Sequence, residues 1–372
     1  MKLFHEGESK IFKNESVLDS SFMPDHLAHR EKELRELADI LKVAADGRKP
    51  QNILISGPPG TGKTSSVKYV LNQLTDFTKA ALPVYVNCWQ AGSDTAILSE
   101  ILNSLHVAMP RRGLAADEMT DRIFEILAKE KKVAIVVLDE VDRLVAQSGD
   151  TTLYRFSRSE EFSGTGAGGT SRTGEGRAGT GGAKIALIGI TNDTELVAKV
   201  DERTRSSLAQ RRMEFERYRV AELKDILKER AKLAFHSAVA EQDAIALCAA
   251  HAAKHGGDAR VAIALLRASG FEAEKTGAAK VTVDNVRSAI DRSIVTKAER
   301  KFDEMSEVEQ RIISLLKKGS ATSGELMKEL SEYGRERTVQ YALKRLSASG
   351  IITEEEVSVK PKGKTRRFSI RI

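Results

Sequence analysis

The residues Gly57-Pro58-Pro59-Gly60-Thr61-Gly62-Lys63-Thr64, followed by Ser65, fit the pattern G-x-x-x-x-G-K-[ST]. In that pattern glycines let backbone N–H groups turn inward around phosphate oxygens, and the following helix points the positive end of its dipole at the same anion. Lys63 would reach the outer phosphates of a nucleoside triphosphate, and the Thr64 hydroxyl would hold a magnesium ion. A pair of acids, Asp139-Glu140, closes an apolar run further on. Asp139 could hold magnesium through water, and Glu140 could orient and deprotonate the water that attacks the γ-phosphorus. Asn192 ends another apolar run and could position the same water from the other side. In Gly256-Gly257-Asp258-Ala259-Arg260, Asp258 reads as a helix N-cap with Arg260 in the first turn. A cation there opposes the helix dipole and calls for an anion, for which the γ-phosphate is the candidate.

These residues need a scaffold, and the spacing of apolar residues predicts one. Asn52–Ser56, Leu82–Cys88, Val133–Glu140 and Lys184–Asn192 read as short buried strands. Between them lie segments of helical spacing, at Arg30–Leu41, after Thr64, and over about 94–106 and 115–130. Alternation of strand and helix predicts a doubly wound α/β domain over residues 1–219. Residues 220–297 lose the strand pattern and read as a small helical lid domain. From 298 to 372 the order is helix (Ser306–Lys317), helix (Ser323–Ser331), helix (Arg335–Ser349), Ile351-Ile352-Thr353 and a basic hairpin, which is a winged helix.

A winged helix lays its third helix in the DNA major groove and its wing on the backbone or minor groove. Arg335, Arg337, Gln340, Tyr341, Lys344 and Arg345 lie on or beside the third helix. Lys360, Lys362, Lys364, Arg366 and Arg367 lie in the wing, with Gly363 at its turn. Lysines and arginines there would neutralise phosphates and make binding salt-sensitive, whereas Arg337 or Gln340 could read bases.

Composition sets the remaining bounds. With 372 residues the chain is long enough for two or three domains, and a net charge of +6 with a pI near 9.1 permits a polyanionic partner. Cys88 and Cys248 are the only cysteines, which excludes a disulfide framework and a cysteine zinc site and reads as intracellular. No apolar run reaches the roughly 20 residues that span a bilayer, and the polar start lacks a signal-peptide core. Gly164-Thr165-Gly166-Ala167-Gly168-Gly169 matches G-x-G-x-x-G literally, but no strand leads into it and no helix follows. It belongs instead to a Gly-rich insertion at 163–182, expected to be a mobile surface loop. His251 and His255 have the spacing of a metal pair without a third ligand nearby, and Trp89 reads as a packing residue.

Phosphate loop, Asp139-Glu140, Asn192 and a lid arginine together resemble an AAA+ ATPase. With the winged helix added, the chain resembles the archaeal origin-recognition and replication-initiation family, related to eukaryotic origin recognition complex subunit one and cell-division-cycle protein six. The likeness covers nearly the whole chain, from Ile11-Phe12-Lys13-Asn14 and Pro24–Glu31 through Val84-Tyr85-Val86-Asn87-Cys88, Leu138–Leu144 and Gly189–Asp193 to Gly257-Asp258-Ala259-Arg260.

The resemblance implies ATP or ADP with Mg2+ as ligands, slow switch-like ATP hydrolysis, and nucleotide contacts at Leu27, His29, Arg30 and Tyr218. It implies an initiator element around Ala96–Leu105 that grips origin DNA together with the wing, with Arg111 and Arg112 as phosphate contacts just beyond. It also implies double-stranded origin DNA and the replicative helicase as partners, self-association on DNA, and a cytoplasmic, nucleoid-associated protein. Glu202 stands where the family usually shows proline. Ser207 stands where eukaryotic relatives can carry the arginine that acts on a neighbouring subunit, which argues against Arg203 or Arg205 in that role. The competing classes are an AAA+ DNA motor such as a branch-migration ATPase, which needs that arginine and a ring, and a signalling or defence ATPase whose winged helix binds protein.

Overall fold

The computed structural model describes residues 9–107, 114–130, 132–162, 183–292, 306–316, 319–330, 336–348, 351–358 and 364–370. The chain parts into two compact units between Val286 and Arg287. The insertion at 163–182 lies outside the described residues, as do Arg111, Arg112, Arg335, Lys360, Lys362 and Gly363.

In the first unit, Ile53–Ser56, Ala81–Asn87, Val133–Asp139, Lys184–Thr191 and Arg211–Glu214 form strands β1 to β5. They make a parallel sheet in the order β2-β3-β4-β1-β5. All seven residues of β3 are buried, as expected of a central strand covered on both faces. Fully burying each large aliphatic side chain there contributes about 1.5–3 kcal/mol.

The covering helices are α1 (Glu31–Leu41), α2 (Lys63–Phe77), α3 (Cys88–Ala91), α4 (Asp94–Ser104), α5 (Ala116–Glu130), α6 (Val141–Ser148), α7 (Thr151–Ser157), α8 (Ser159–Phe162), α9 (Leu196–Lys199) and α10 (Glu202–Leu208). One apolar cluster joins Ile53, Ile55, Val133, Ile135 and Val137 of the strands to Leu37, Val67 and Leu71 of the helices. The opposite face packs Val136 and Leu138 against Ile97, Ile101, Ile123 and Phe156.

Because β4 lies between β1 and β3, three loops leave the same edge of the sheet side by side. Ser56 is level with Thr191, and Asp139 with Ile190. The phosphate loop after β1, Asn192 after β4 and Glu140 after β3 are therefore neighbours in space. This is the crevice at the carboxyl ends of parallel strands where open α/β sheets take ligands.

The first unit continues into helices α11 (Val220–Ala234), α12 (Gln242–Lys254) and α13 (Ala259–Thr276), and the unit boundary falls inside a further helix, α14, at residues 283–292. Phe12 stacks on Phe235 at 5.1 Å between ring centroids and meets Phe271 at 5.2 Å. Gly270, inside α13, lets that ring in, since a Cβ there would fall 2.3 Å from Phe12 Cζ. The amino-terminal segment is thereby fastened to the helical lid. His251 and His255 pack with their rings 4.5 Å apart, and no cluster of three or more metal-ligating side chains occurs among the described residues. None of the described helices is long and apolar enough to cross a membrane.

The second unit holds α15 (Glu307–Leu316), β6 (Ala321–Thr322), α16 (Ser323–Glu329), α17 (Glu336–Ala348), β7 (Ile352–Ser358) and β8 (Lys364–Ile370). Its antiparallel sheet runs β6-β8-β7. Ile312, Leu326, Leu330, Val339, Leu343, Leu346, Ile352 and Phe368 make one core, which closes the helices onto the hairpin.

Candidate functional site

The phosphate loop is built by three glycines at positive φ: Gly57 at 147°, Gly60 at 70° and Gly62 at 88°. Close neighbours exclude side chains at the same positions. A Cβ on Gly57 would meet Phe215 O at 2.4 Å, and one on Gly60 would meet Asp258 Oδ1 at 1.7 Å. Lys63, buried at the first turn of α2, donates to Gly57 O at 2.7 Å, Pro58 O at 2.8 Å and Asn192 Oδ1 at 2.8 Å. Burial pushes its ammonium down to about 8, and the Arg260 charge works in the same direction against the opposing pull of Asp139, Asp258 and Asp142.

Asp139, at the end of β3, is 6% exposed and receives three donors. Thr64 Oγ1 donates to its Oδ2 at 2.8 Å, Tyr85 Oη to the same oxygen at 2.7 Å, and the Glu140 backbone N–H to Oδ1 at 3.0 Å. Glu140 adopts the left-handed conformation, φ 57° and ψ 44°. For a residue other than glycine this costs on the order of 1–3 kcal/mol and is concentrated at functional sites. Asp142 Oδ1 in turn accepts from Thr191 Oγ1 at 2.8 Å, tying α6 to the end of β4.

The lid reaches the loop through the start of α13. The Ala259 N–H donates to Gly60 O at 3.1 Å, and Asp258 caps the helix by accepting from the Arg260 N–H at 2.8 Å. The anion beside the Arg260 guanidinium is Asp258, with Nη2 2.9 Å from Oδ2. Burial tends to raise the Asp258 carboxyl, but side-chain and backbone bonds from Arg260 hold it below its ordinary value. Arg260 is raised correspondingly, first by its bond to Asp258.

Many of these groups face one cleft of about 980 Å³, which Gly57, Pro58, Tyr85 and Asp258 support without lining. Pro59 through Ser65, Asp139, Glu140, Asn192, Tyr218, Arg260 and Leu27 line it. Arg30 and His29 are not among its lining residues. Arg30 is buried behind the loop, where Nε donates to Thr61 O at 2.8 Å and Nη2 to Glu216 O at 2.7 Å, with its guanidinium carbon 4.0 Å from the Tyr218 ring centroid. It braces the loop. His29 Nε2 lies 3.3 Å from Asp225 Oδ2.

The cleft fits a nucleoside polyphosphate with Mg2+ by the chemistry of its donors. The loop has backbone that only glycine permits and a buried lysine, and the oxygens of Thr64 and Asp139 suit a hard cation that takes one or two protein ligands plus phosphates. Trp89, read from the sequence as a packing residue, is 59% exposed and has the Arg143 guanidinium 3.9 Å from its ring, a cation–π pair on the surface.

In the second unit, Val339, Ala342, Leu343 and Leu346 turn α17 onto the core, leaving Arg337, Gln340, Tyr341, Lys344 and Arg345 exposed together. Gln340 Nε2 lies 3.4 Å from Glu336 Oε1, and Arg345 Nε 3.4 Å from Oε1 of the buried Glu309. Arg345 thus also holds α17 to α15. Tyr341 is 70% exposed. In the wing, Lys364 opens β8 opposite Ser358, while Arg366 pairs with Glu356 and Arg367 with Glu355 across the ladder. Arg366 Nη1 also lies 3.7 Å from Glu354 Oε2. The basic strand therefore carries an acidic strand beside it.

Reading the residues one by one missed four partners: Tyr85, the contact of Asp258 with Gly60, the bond between Thr191 and Asp142, and the glutamates of β7. For Tyr85 a signal existed. β2 runs beside β3 with Asn87 level with Asp139, so Tyr85, two residues earlier, faces the same side as the acid.

A parallel sheet with a phosphate loop after β1, paired acids after β3, a polar residue after β4 and a helical lid defines a nucleotide-binding ATPase of the AAA+ class. Residues 26–165 match the AAA ATPase domain, and residues 224–291 match the Cdc6 AAA+ ATPase-type lid domain. An ORC1-type DNA replication protein of Desulfurococcus amylolyticus is 37% identical over 98% of this chain and 92% of its own length. ORC1-type DNA replication protein 1 of Sulfurisphaera tokodaii is 33% identical with the same coverage. The solved structure of the Aeropyrum pernix Orc1 protein in complex with DNA aligns with a TM-score of 0.75 at 32% identity, covering 98% of this chain and 94% of that one. The chain belongs to the ORC1-type DNA replication protein family.

Proposed function

We propose that this protein is an ATP-regulated replication initiator that binds double-stranded origin DNA and helps recruit or load the replicative helicase. The observation that carries the nucleotide half is the convergence of Lys63, Thr64, Asp139, Glu140, Asn192 and Arg260 on one cleft. Lys63 and the backbone N–H groups of the loop hold the phosphates, while Thr64 and Asp139 hold Mg2+. The metal supplies charge neutralisation at the developing transition state. Glu140, turned into the cleft by its left-handed backbone, accepts the proton of the attacking water, and Asn192 fixes that water and the Lys63 ammonium from the other side. Arg260 exchanges Asp258 for the γ-phosphate. That exchange gives up a charge-assisted pair, which is consistent with slow, switch-like turnover.

The DNA half rests on the exposed face of α17 and on the wing, with Arg337 and Gln340 as base readers and Lys344, Lys364, Arg366 and Arg367 as phosphate contacts. Arg345 contributes from the edge of that face. The relative from Aeropyrum pernix was solved in complex with DNA, which supports the assignment. Arg111, Arg112, Arg335 and Lys362 are further phosphate contacts in this reading, and self-association takes place on the DNA.

Footprinting tests it, on genomic DNA around the protein's own gene, with the wild type and an Arg337→Ala, Arg366→Ala double variant. Sequence-selective protection that the double variant weakens is the expected result. Uniform protection, or none, sinks the initiator reading.

A further inference from the structure

Tyr85 bonds the acid that ends β3, yet the proposed function gives it no task. It is half-buried on β2, and its hydroxyl donates to Asp139 Oδ2 at 2.7 Å. Thr64 donates to that same oxygen at 2.8 Å, and the Glu140 N–H takes the other at 3.0 Å. An ionised carboxylate offers about four acceptor positions. Three directed donors therefore leave Asp139 little freedom to turn about its own side-chain bonds.

The three donors are not equivalent. The Glu140 N–H is set by the backbone, and the Thr64 oxygen is itself a candidate metal ligand. Tyr85 alone is a side chain that holds Asp139 without offering an oxygen to the nucleotide loop. Its own position is supported from behind by Lys68, whose Nζ lies 4.0 Å from the ring centroid.

We propose that Tyr85 is the positioning residue of the metal site, fixing the Asp139 carboxylate in the orientation that meets a divalent cation. Outer partners of this kind commonly change metal affinity by about 10–100-fold when removed. The proposal rests on the nucleotide–Mg2+ reading, and its test separates the two.

Full-length wild type and Tyr85→Phe are loaded with ADP and titrated with Mn2+, with free Mn2+ read by electron paramagnetic resonance. Phenylalanine keeps the ring beneath Lys68 and removes only the hydroxyl. The expected result is an Mn2+ dissociation constant raised about tenfold, with ADP affinity in EDTA within about twofold of wild type, a pairing that general loss of structure would not give. An unchanged Mn2+ constant in the variant overturns the Tyr85 assignment alone. A wild type that binds ADP but no Mn2+ overturns the metal reading and this proposal with it.

Discussion

The nucleotide cleft and the winged-helix face both bring basic side chains together, but they treat charge in opposite ways. In the cleft Lys63 is buried and its three bonds end on named atoms, and Asp139 is held by three donors of its own. On the winged-helix face Arg337, Lys344, Arg366 and Arg367 stay exposed, and the wing arginines lie opposite glutamates. A buried charge is worth much and tolerates little change, whereas exposed pairs are worth roughly 0–1 kcal/mol each and act by their sum. The cleft should therefore respond to single atoms in a nearly all-or-none way, and the winged-helix face, if it meets DNA as proposed, in increments that track salt.

Lys63→Ala should break the comparison most severely if it is wrong. Loss of nucleotide binding by about 100-fold or more is expected in calorimetric titration with ADP, from losing a charge-assisted contact and its buried geometry. A change of only a few fold would place the cleft in the incremental class with the wing.

A middle-sized effect is expected from Glu355→Gln with Glu356→Gln. Removing two carboxylates beside Arg366 and Arg367 should tighten DNA binding by several fold at low salt. The slope of log affinity against log salt should steepen by about one or two units. Fluorescence anisotropy across a salt series measures both. Unaltered binding would mean that the wing arginines do not meet DNA phosphates.

The smallest effect concerns protons. Lys63 titrates near 8 in the folded protein, below its ordinary 10.5, so the unfolded chain binds more protons between those values. Stability of the nucleotide-free protein should gain from this group as pH rises from about 8 towards 10.5. Phosphates beside the ammonium raise it again, so binding near pH 8 should take up roughly half a proton and affinity should fall as pH climbs through the same window. Calorimetry in buffers of different ionisation enthalpy reads the uptake. Proton release, or none, contradicts the assigned place of Lys63.

How far the sequence could be read follows the same division. Buried strands with continuous apolar runs, such as Val133–Asp139, and a loop whose glycines are each required by backbone or crowding were visible because local pattern and tertiary demand coincide. β5 escaped notice because Met213 alone among Arg211–Glu214 is buried, so no apolar run marks a strand that pairing with β1 creates. Trp89 reads from the sequence as a packing residue, but its partner, Arg143 at the surface, is set by the turn from β3 into α6 and not by local pattern. The acidic partners of the wing were hidden because cross-strand register, unlike composition, depends on where the hairpin turns. Arg30, a nucleotide contact by the family resemblance, donates to Thr61 O and does not line the cleft, a placement that only the folded loop reveals.

In the proposed function the cleft splits ATP and Glu140 moves the proton. Single-turnover hydrolysis of radiolabelled ATP, with binding measured in parallel, tests it in one comparison of wild type with Glu140→Ala. ATP affinity within about threefold and a hydrolysis rate at least about 100-fold lower are predicted for the variant, in keeping with the worth of a positioned general base. Equal rates in the two proteins would contradict the claim.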